Sequence, residues 1–244
     1  MKFIHRLKYF LVGFGIGLIL VFFFFKDRGW DWLPGNRITK FILNNPIEID
    51  ENLYSSFKEN SIDSDLIYDV IENGSVLFSE SITKEKIKNY KIELDSFKVT
   101  ALVSFQDSST KIINLNKLNT RLNNLSSSRP IYPSDSLFFS KILKKEVQGT
   151  DLFLCQLKKH NLNFNSISSN LKQSRLLRTF SKPYKKPNPL YFSILKFEGN
   201  EILIHMEEGS KKIRLKAMSL VQGTNNQNKE IENLILDLKK GNCQ

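Results

Sequence analysis

Five cations within twelve positions, Arg175, Arg178, Lys182, Lys185 and Lys186, form the densest charged run of the chain, with Phe180 and Tyr184 between them. Cations interleaved with aromatic rings can hold a single nucleic-acid strand, because charge neutralises phosphates and rings stack on bases. The same run could lie against anionic lipid headgroups, where each Lys or Arg near the surface contributes about 1 kcal/mol. It also reads as a solvated loop between strands. The run is the candidate binding site, and its expected partner is an anionic surface or a protein. Nucleic acid is not expected if the chain lies outside the cytoplasm, as its N-terminal segment indicates below.

Other chemistry finds little footing. The sequence has no Gly-x-x-x-x-Gly-Lys, no Cys-x-x-Cys, no His-Glu-x-x-His and no Gly-x-Ser-x-Gly. The three histidines are scattered, so no metal site and no cofactor are expected. His160 falls at a helix end and His205 in a strand, both readable as structural or surface residues. Asp63 with Asp65, and Glu207 with Glu208, occupy expected cap or turn positions. Cys155 reads as a small core residue on a helix. Cys243 lies next to the C-terminus, and whether the two cysteines pair stays open at this point. A non-enzymatic role is therefore expected.

The elements that carry these residues begin with an apolar run. Tyr9 to Phe25 holds no charged side chain. As a helix it would span roughly 25 Å at about 1.5 Å per residue, close to the hydrocarbon thickness of a bilayer. Lys8 and Lys26 bracket it, and Tyr9, Trp30 and Trp32 fall where interfacial aromatics collect. A cleaved signal peptide is the rival reading, but four phenylalanines and Lys26-Asp27-Arg28 follow instead of a small-residue cleavage site. Lys2, Arg6 and Lys8 bias the N-terminus towards the cytoplasm and the bulk of the chain towards the periplasm or exterior. Gly13 and Gly17 lie one turn apart and could admit a second helix, so self-association through that face is a further expectation.

Beyond a connector at residues 29–36, the pattern recurs after about 100 residues. Leu53 and Phe57 match Phe153 and Leu157, each pair at helical i, i+4 spacing. Ile67 to Ile71 matches Ile167 to Leu171. Alternating stretches then align: 76–79 with 176–181, 90–94 with 191–195, 97–105 with 197–206, and 111–115 with 211–215. Asp63 or Ser64 and Asn165 read as helix caps, and Gly74 as a helix stop. The expected fold class is α+β: one N-terminal transmembrane helix, residues 1–28, then two tandem repeats of helices followed by an antiparallel sheet. The repeats cover 37–118 and 137–220, separated by an Asn- and Ser-rich linker at 119–136. The tail, 221–244, carries an amphipathic helix with Ile231, Leu234, Ile235 and Leu238 on one face. Charge is uneven: residues 41–118 carry 8 basic and 13 acidic side chains, residues 119–244 carry 21 and 10.

The N-terminal Met1-Lys2-Phe3-Ile4-x-Arg6-Leu7, the run Trp32-Leu33-Pro34-Gly35-Asn36-Arg37-Ile38, and Asn73-Gly74-Ser75-Val76-x-Phe78-Ser79-x-Ser81 resemble a family of small single-span bacterial membrane proteins with a domain of unknown function. That domain is distantly similar to RelE-like ribonuclease toxins. The resemblance implies a His and two Arg on the helix before Ile62. The matching positions hold Asn52, Ser56 and Asn60 in the first repeat, and Leu152, Gln156 and His160 in the second. Acid–base cleavage of RNA needs a base and a cation held together. The resemblance thus implies a membrane-anchored, non-catalytic binding or scaffolding module, with a degenerate nuclease-related enzyme or its regulator as the alternative.

Overall fold

The computed structural model describes residues 2–25, 32–60, 62–115, 127–221 and 227–240. It is α+β, with eight α-helices and two β-sheets among these residues. The chain divides into two compact units. Residues 1–53 and 69–128 form one; residues 54–68 and 129–244 form the other.

Helix α1 runs from Lys2 to Phe25. Its 24 residues exceed the apolar run by two turns at the N-terminal end, giving about 36 Å at 1.5 Å per residue. The window His5–Phe23 is long and apolar enough to cross a membrane, and none of it is buried by protein. Phe3, Phe10 and Phe23 are each more than 60% exposed, at 77%, 66% and 71%. By length and composition α1 could be a membrane anchor or a signal sequence. Lys26, Asp27, Arg28 and Trp30, which set the second flank, lie outside the described residues.

In the first unit, α2 (Pro34–Leu43) opens with a proline whose missing N–H costs nothing in a first turn. It therefore begins inside the expected connector. Strand β1 (Ile47–Asp50) follows, then α3 (Glu51–Glu59) and α4 (Ser64–Asn73), of which residues 54–68 belong to the second unit. The next strands are β2 (Ser75–Val76), β3 (Lys88–Leu94), β4 (Phe97–Ser104) and β5 (Ser109–Leu115). A short strand β6 (Ser128–Pro130) completes the sheet, whose order is β2-β3-β4-β5-β1-β6. Ile47, Ile49, Tyr90, Ile92, Val99, Ala101, Val103 and Ile112 are buried on one face. The opposite face carries Asn89, Lys91, Glu93, Lys98 and Lys111 beside Leu102 and the buried Thr100, the largely polar side of a half-buried sheet.

The second unit contains α5 (Asp135–Ile142), β7 (Glu146–Gly149), α6 (Asp151–Lys159), α7 (Phe164–Asn170), β8 (Arg175–Leu176), β9 (Leu190–Phe197), β10 (Asn200–Glu208), β11 (Lys212–Val221) and α8 (Gln227–Lys240). Its sheet order is β7-β11-β10-β9-β8. One face, with Tyr191, Leu195, Ile202, Ile204 and Met206, shares a core with Phe139, Phe153, Leu157 and Ile167 from α5, α6 and α7. The other face is apolar too. Phe192, Ile194, Leu203, Ala217 and Val221 pack beneath Ile231, Ile235 and Leu238 of α8.

Several expectations need correction. The sheets are mixed, not antiparallel throughout, because β1 pairs parallel to β5 and β7 pairs parallel to β11. Four-residue strands enclosed by helices carry too little alternation to stand out from their flanks. The expected linker supplies β6 and the start of α5; residues 119–126 lie outside the described part. The cap of α7 is Asn163, whose Oδ1 accepts from Asn165 N–H at 2.8 Å, so Asn165 is inside the helix and not its cap. Gly74 is needed for space, not for a left-handed turn. A Cβ there would collide with the Val70 carbonyl oxygen and stand 2.8 Å from that of Glu93.

Candidate functional site

The cationic run begins on β8 and continues through the 177–189 connection to β9. Ser181 fastens this connection: its hydroxyl donates to the Leu177 carbonyl at 2.8 Å and accepts from Phe192 N–H at 3.0 Å. Lys182 N–H donates to the Leu190 carbonyl at 2.7 Å, and Leu190 N–H returns the bond at 3.1 Å. These bonds hold the loop against the edge of β9.

Four of the five cations, Arg175, Lys182, Lys185 and Lys186, are exposed. Arg178 is not among them. Its Nη2 donates to the Pro133 carbonyl at 2.6 Å and makes an ion pair with Asp135 Oδ1 at 2.6 Å. The guanidinium also lies 5.8 Å from the centre of the Tyr132 ring. Arg178 is thereby committed to the segment that leads into α5. The aromatics of the run turn inward as well. Phe180 packs against the core beneath α8, and Tyr184 is largely shielded. Burial, with a smaller contribution from Tyr132, pushes the Tyr184 hydroxyl up to about 12. The run thus offers four exposed cations and no exposed stacking platform.

Behind Arg178 lies a polar cluster of one unit. Tyr68 donates to the Ile131 carbonyl at 3.1 Å. The Asp65 carboxylate accepts from Ser134 N–H at 2.6 Å and from its hydroxyl at 2.5 Å. Ser134 Oγ in turn accepts from Leu137 N–H and caps α5. Tyr191 donates to Glu208 Oε2 at 2.8 Å, while Lys145 reaches Glu208 Oε1 at 2.6 Å. Burial is the main cause that raises the Tyr68 and Tyr191 hydroxyls well above the usual range; Tyr184 adds to the first and the Glu208 charge to the second. Nothing in this cluster pairs a base with a reacting nucleophile; each group is satisfied by a backbone or carboxylate partner. Sequence reading did not single it out, because Tyr68, Tyr132 and Tyr191 are far apart in the chain. A shallow open groove nearby is lined by Tyr54, Phe57, Ile62, Asp63, Ser64, Ile67 and Ile131.

Cys155 departs from expectation. It is exposed on α6, opposite the buried Phe153 and Leu157, and is disulfide-bonded. The sequence has one other cysteine, Cys243, which lies outside the described residues. His160 caps the end of α6 through its backbone N–H and is exposed. His205 stacks on Phe192 with ring centres 4.6 Å apart and planes 9° from parallel. Asp63 Oδ1 faces Asp65 N–H at 3.4 Å in a turn before α4. Glu207 takes the charge of Arg214 at 3.1 Å. Among the described residues, no three His, Cys, Asp or Glu side chains gather as metal ligands. Comparison with protein-family models, curated proteins and solved structures found no match to this chain.

Proposed function

We propose that this chain is a single-span membrane protein whose two α+β units lie outside the cytoplasm and act as a non-catalytic binding or scaffolding module. The observation that carries the reading is α1: a helix whose uncharged run, Tyr9 to Phe25, spans roughly 25 Å, within a window that no protein covers. The missing cleavage site favours a retained anchor over a removed signal. The disulfide at exposed Cys155 supports the external side, since such bonds persist in oxidising compartments and are rare in the cytosol.

We further read the two units as copies of one fold. Each sheet has a parallel strand between a helix and two more helices, and then an antiparallel meander. Each sheet breaks register between the last two strands of its meander, between Thr100 and Ala101 in one and between His205 and Met206 in the other. The residue after each break, Ala101 or Met206, faces Ile112 or Leu215. Two-residue turns join β3 to β4 and β9 to β10, with Asp95 and Glu198 both at positive φ. Asp50 and Thr150, at matching places, both accept hydrogen bonds from the first turn of the following helix.

A non-catalytic role is supported by what replaces the RelE-type signature. Leu152 packs against the core beneath α8, and Gln156 Oε1 accepts from Met218 N–H at 2.8 Å. In the first copy, Asn60 Nδ2 donates to the Ser56 carbonyl at 2.8 Å. These are structural assignments. Binding falls to Arg175, Lys182, Lys185 and Lys186, which would meet an anionic surface or an acidic protein patch.

Membrane extraction with carbonate and a fusion of alkaline phosphatase after Gln244 test the reading together. Retention in the pellet with active phosphatase is expected. Release into the supernatant would remove the anchor, and an inactive phosphatase on a retained protein would reverse the orientation.

A further inference from the structure

The first unit bares an apolar tip where the chain enters β3. Ile82 N–H donates to the Asn89 carbonyl at 2.8 Å, and Asn89 N–H returns the bond at 2.9 Å, so residues 83–88 form a loop closed at its neck. Lys88 Nζ donates to the Thr83 carbonyl at 2.9 Å and braces the loop from within. The same ammonium lies 5.8 Å from the centre of the Phe105 ring, which meets the Phe41 ring of α2 at 4.5 Å. These contacts gather Ile82, Ile87 and Phe105 around Lys88, and the three are 49%, 50% and 41% exposed. Apolar side chains bared together mark an interaction surface.

Charge at this tip runs against its surroundings. Residues 41–118 carry 8 basic and 13 acidic side chains, yet Lys84, Lys86 and Lys88 fall within one short loop. Other lysines of the sheet are neutralised internally: Lys91 and Lys98 pair with Glu80, and Lys111 pairs with Asp50. Lys84 and Lys86 are exposed and make no ion pair among the described residues. Glu85 is the one acid of the loop. Protein interfaces are depleted in lysine and enriched in arginine and large aromatics, so isoleucine beside lysine fits them poorly. It fits a lipid surface well. Aliphatic side chains enter the boundary between headgroups and acyl chains, while lysine stems reach back to the phosphates.

We propose that this tip rests on the anionic lipid surface of the membrane that α1 spans, with Ile82 and Ile87 in the headgroup–acyl boundary and Lys84 and Lys86 on lipid phosphates. The inference rests on α1 being a retained anchor. Reach then selects the occupant. Eight residues separate Phe25 from Pro34, at most about 29 Å of extended chain. Phe41 lies seven residues into α2, about 11 Å further. The bilayer therefore stays within about 40 Å of Phe41 and the tip beside it. A tethered surface is met at an effective concentration that a free partner does not match, so a small patch suffices. Each lysine brought to an anionic surface strengthens the contact about five-fold. The anchor alone limits only the distance of the first unit from the bilayer; the tip fixes which side of that unit faces it.

The test uses the full chain reconstituted into lipid nanodiscs, with a fluorophore on one added cysteine and doxyl-labelled lipids as quencher. Wild type carried through the same labelling sets the background. Leu18→Cys reports the span and Ile87→Cys the tip. Ser96→Cys, exposed in the turn at the far end of β3, is the control within the same unit. In discs containing phosphatidylglycerol, shallow doxyl groups are expected to quench the Ile87 label several-fold more than the Ser96 label. The excess should shrink several-fold in phosphatidylcholine discs, and likewise when Lys84→Glu and Lys86→Glu are added at their exposed sites. Should Ile87→Cys misfold, Lys86→Cys reports the same loop, with Lys84→Glu as the reversal. A quenched Leu18 label with Ile87 and Ser96 labels alike overturns the tip contact while the anchor stands. An unquenched Leu18 label refutes the anchor, and this proposal with it. Excess quenching at Ile87 that ignores both lipid charge and lysine reversal overturns the anionic assignment.

Discussion

Arg178 Nη2 stands 2.6 Å from Asp135 Oδ1, and the second oxygen of Asp135 accepts from Leu176 N–H at 3.1 Å. One carboxylate thus ties β8 to the first turn of α5, where a negative charge also suits the helix dipole. The pair is about one-third exposed on each side, so its Coulomb energy is partly screened. The Pro133 carbonyl adds a second anchor for the same guanidinium.

Arg178 and its neighbours in the run should therefore separate by experiment. Arg178→Ala leaves Asp135 and the Pro133 carbonyl short of a donor and should lower stability by about 1–2 kcal/mol. Lys182→Glu, Lys185→Glu and Lys186→Glu touch exposed side chains and should each stay within about 0.5 kcal/mol. Thermal melts of the detergent-solubilised chain measure both. The three lysine reversals together should instead reduce flotation with anionic vesicles. Equal melting temperatures for Arg178→Ala and wild type would return Arg178 to the exposed surface.

Helix α8 gives a second prediction. Ile235 is buried beneath the sheet, whereas Leu236, the next residue, is 52% exposed. Ile235→Ala should cost about 2–5 kcal/mol, the range for emptying an aliphatic core site. Leu236→Ala should be nearly neutral. Denaturant unfolding with a common m-value makes the comparison clean. Equal effects would mean that α8 does not seal that face.

The need for α8 is visible in the strands it covers. Tyr191 to Leu195 and Ile202 to Ile204 are apolar at almost every position, the mark of a strand buried on both faces. Lys91 and Glu93 interrupt β3 every second residue, the mark of one polar face. The second sheet is thus apolar on both faces, whereas the first keeps one face that is largely polar. The strands β1, β6 and β7 were illegible because three or four residues carry no period. The fate of Arg178 was illegible for another reason: its partners lie 43 and 45 positions away in the chain. A charge run looks uniform in sequence even when one member is recruited to hold the fold.

Alkaline pH should expose the buried tyrosines. The usual tyrosine value is 10.0, and Tyr184 is held near 12 in the folded chain, with Tyr68 and Tyr191 also raised. Above pH 10 the unfolded chain releases protons that the folded chain retains. Stability is thus fully present below the unfolded value and falls as pH rises towards the folded one. Tyr184→Phe should flatten that fall between about pH 10 and 12. Unfolding curves across this interval, read beside tyrosinate absorbance, check it. An unchanged slope would show that Tyr184 ionises as if exposed.

Gly74 is the sharpest steric test of how α4 delivers the chain to β2. Its N–H donates to the Val70 carbonyl at 2.9 Å, closing the last turn, while the Glu93 carbonyl of β3 approaches from the other side. An added methyl meets backbone on both sides, and backbone cannot swing aside as a long side chain can. Gly74→Ala should therefore destabilise by about 1–3 kcal/mol, the cost of overpacking. That is opposite in sign to the usual gain from replacing a glycine of ordinary conformation. Gly199 has open space around its would-be Cβ but a φ of 78°. There alanine is opposed by conformation and asparagine, which tolerates the left-handed region, should restore most of the loss. At Gly74 asparagine should be worse than alanine, because size is the obstacle. Melting both pairs of variants separates crowding from conformation, and a rescue by asparagine at Gly74 would disprove the crowded junction.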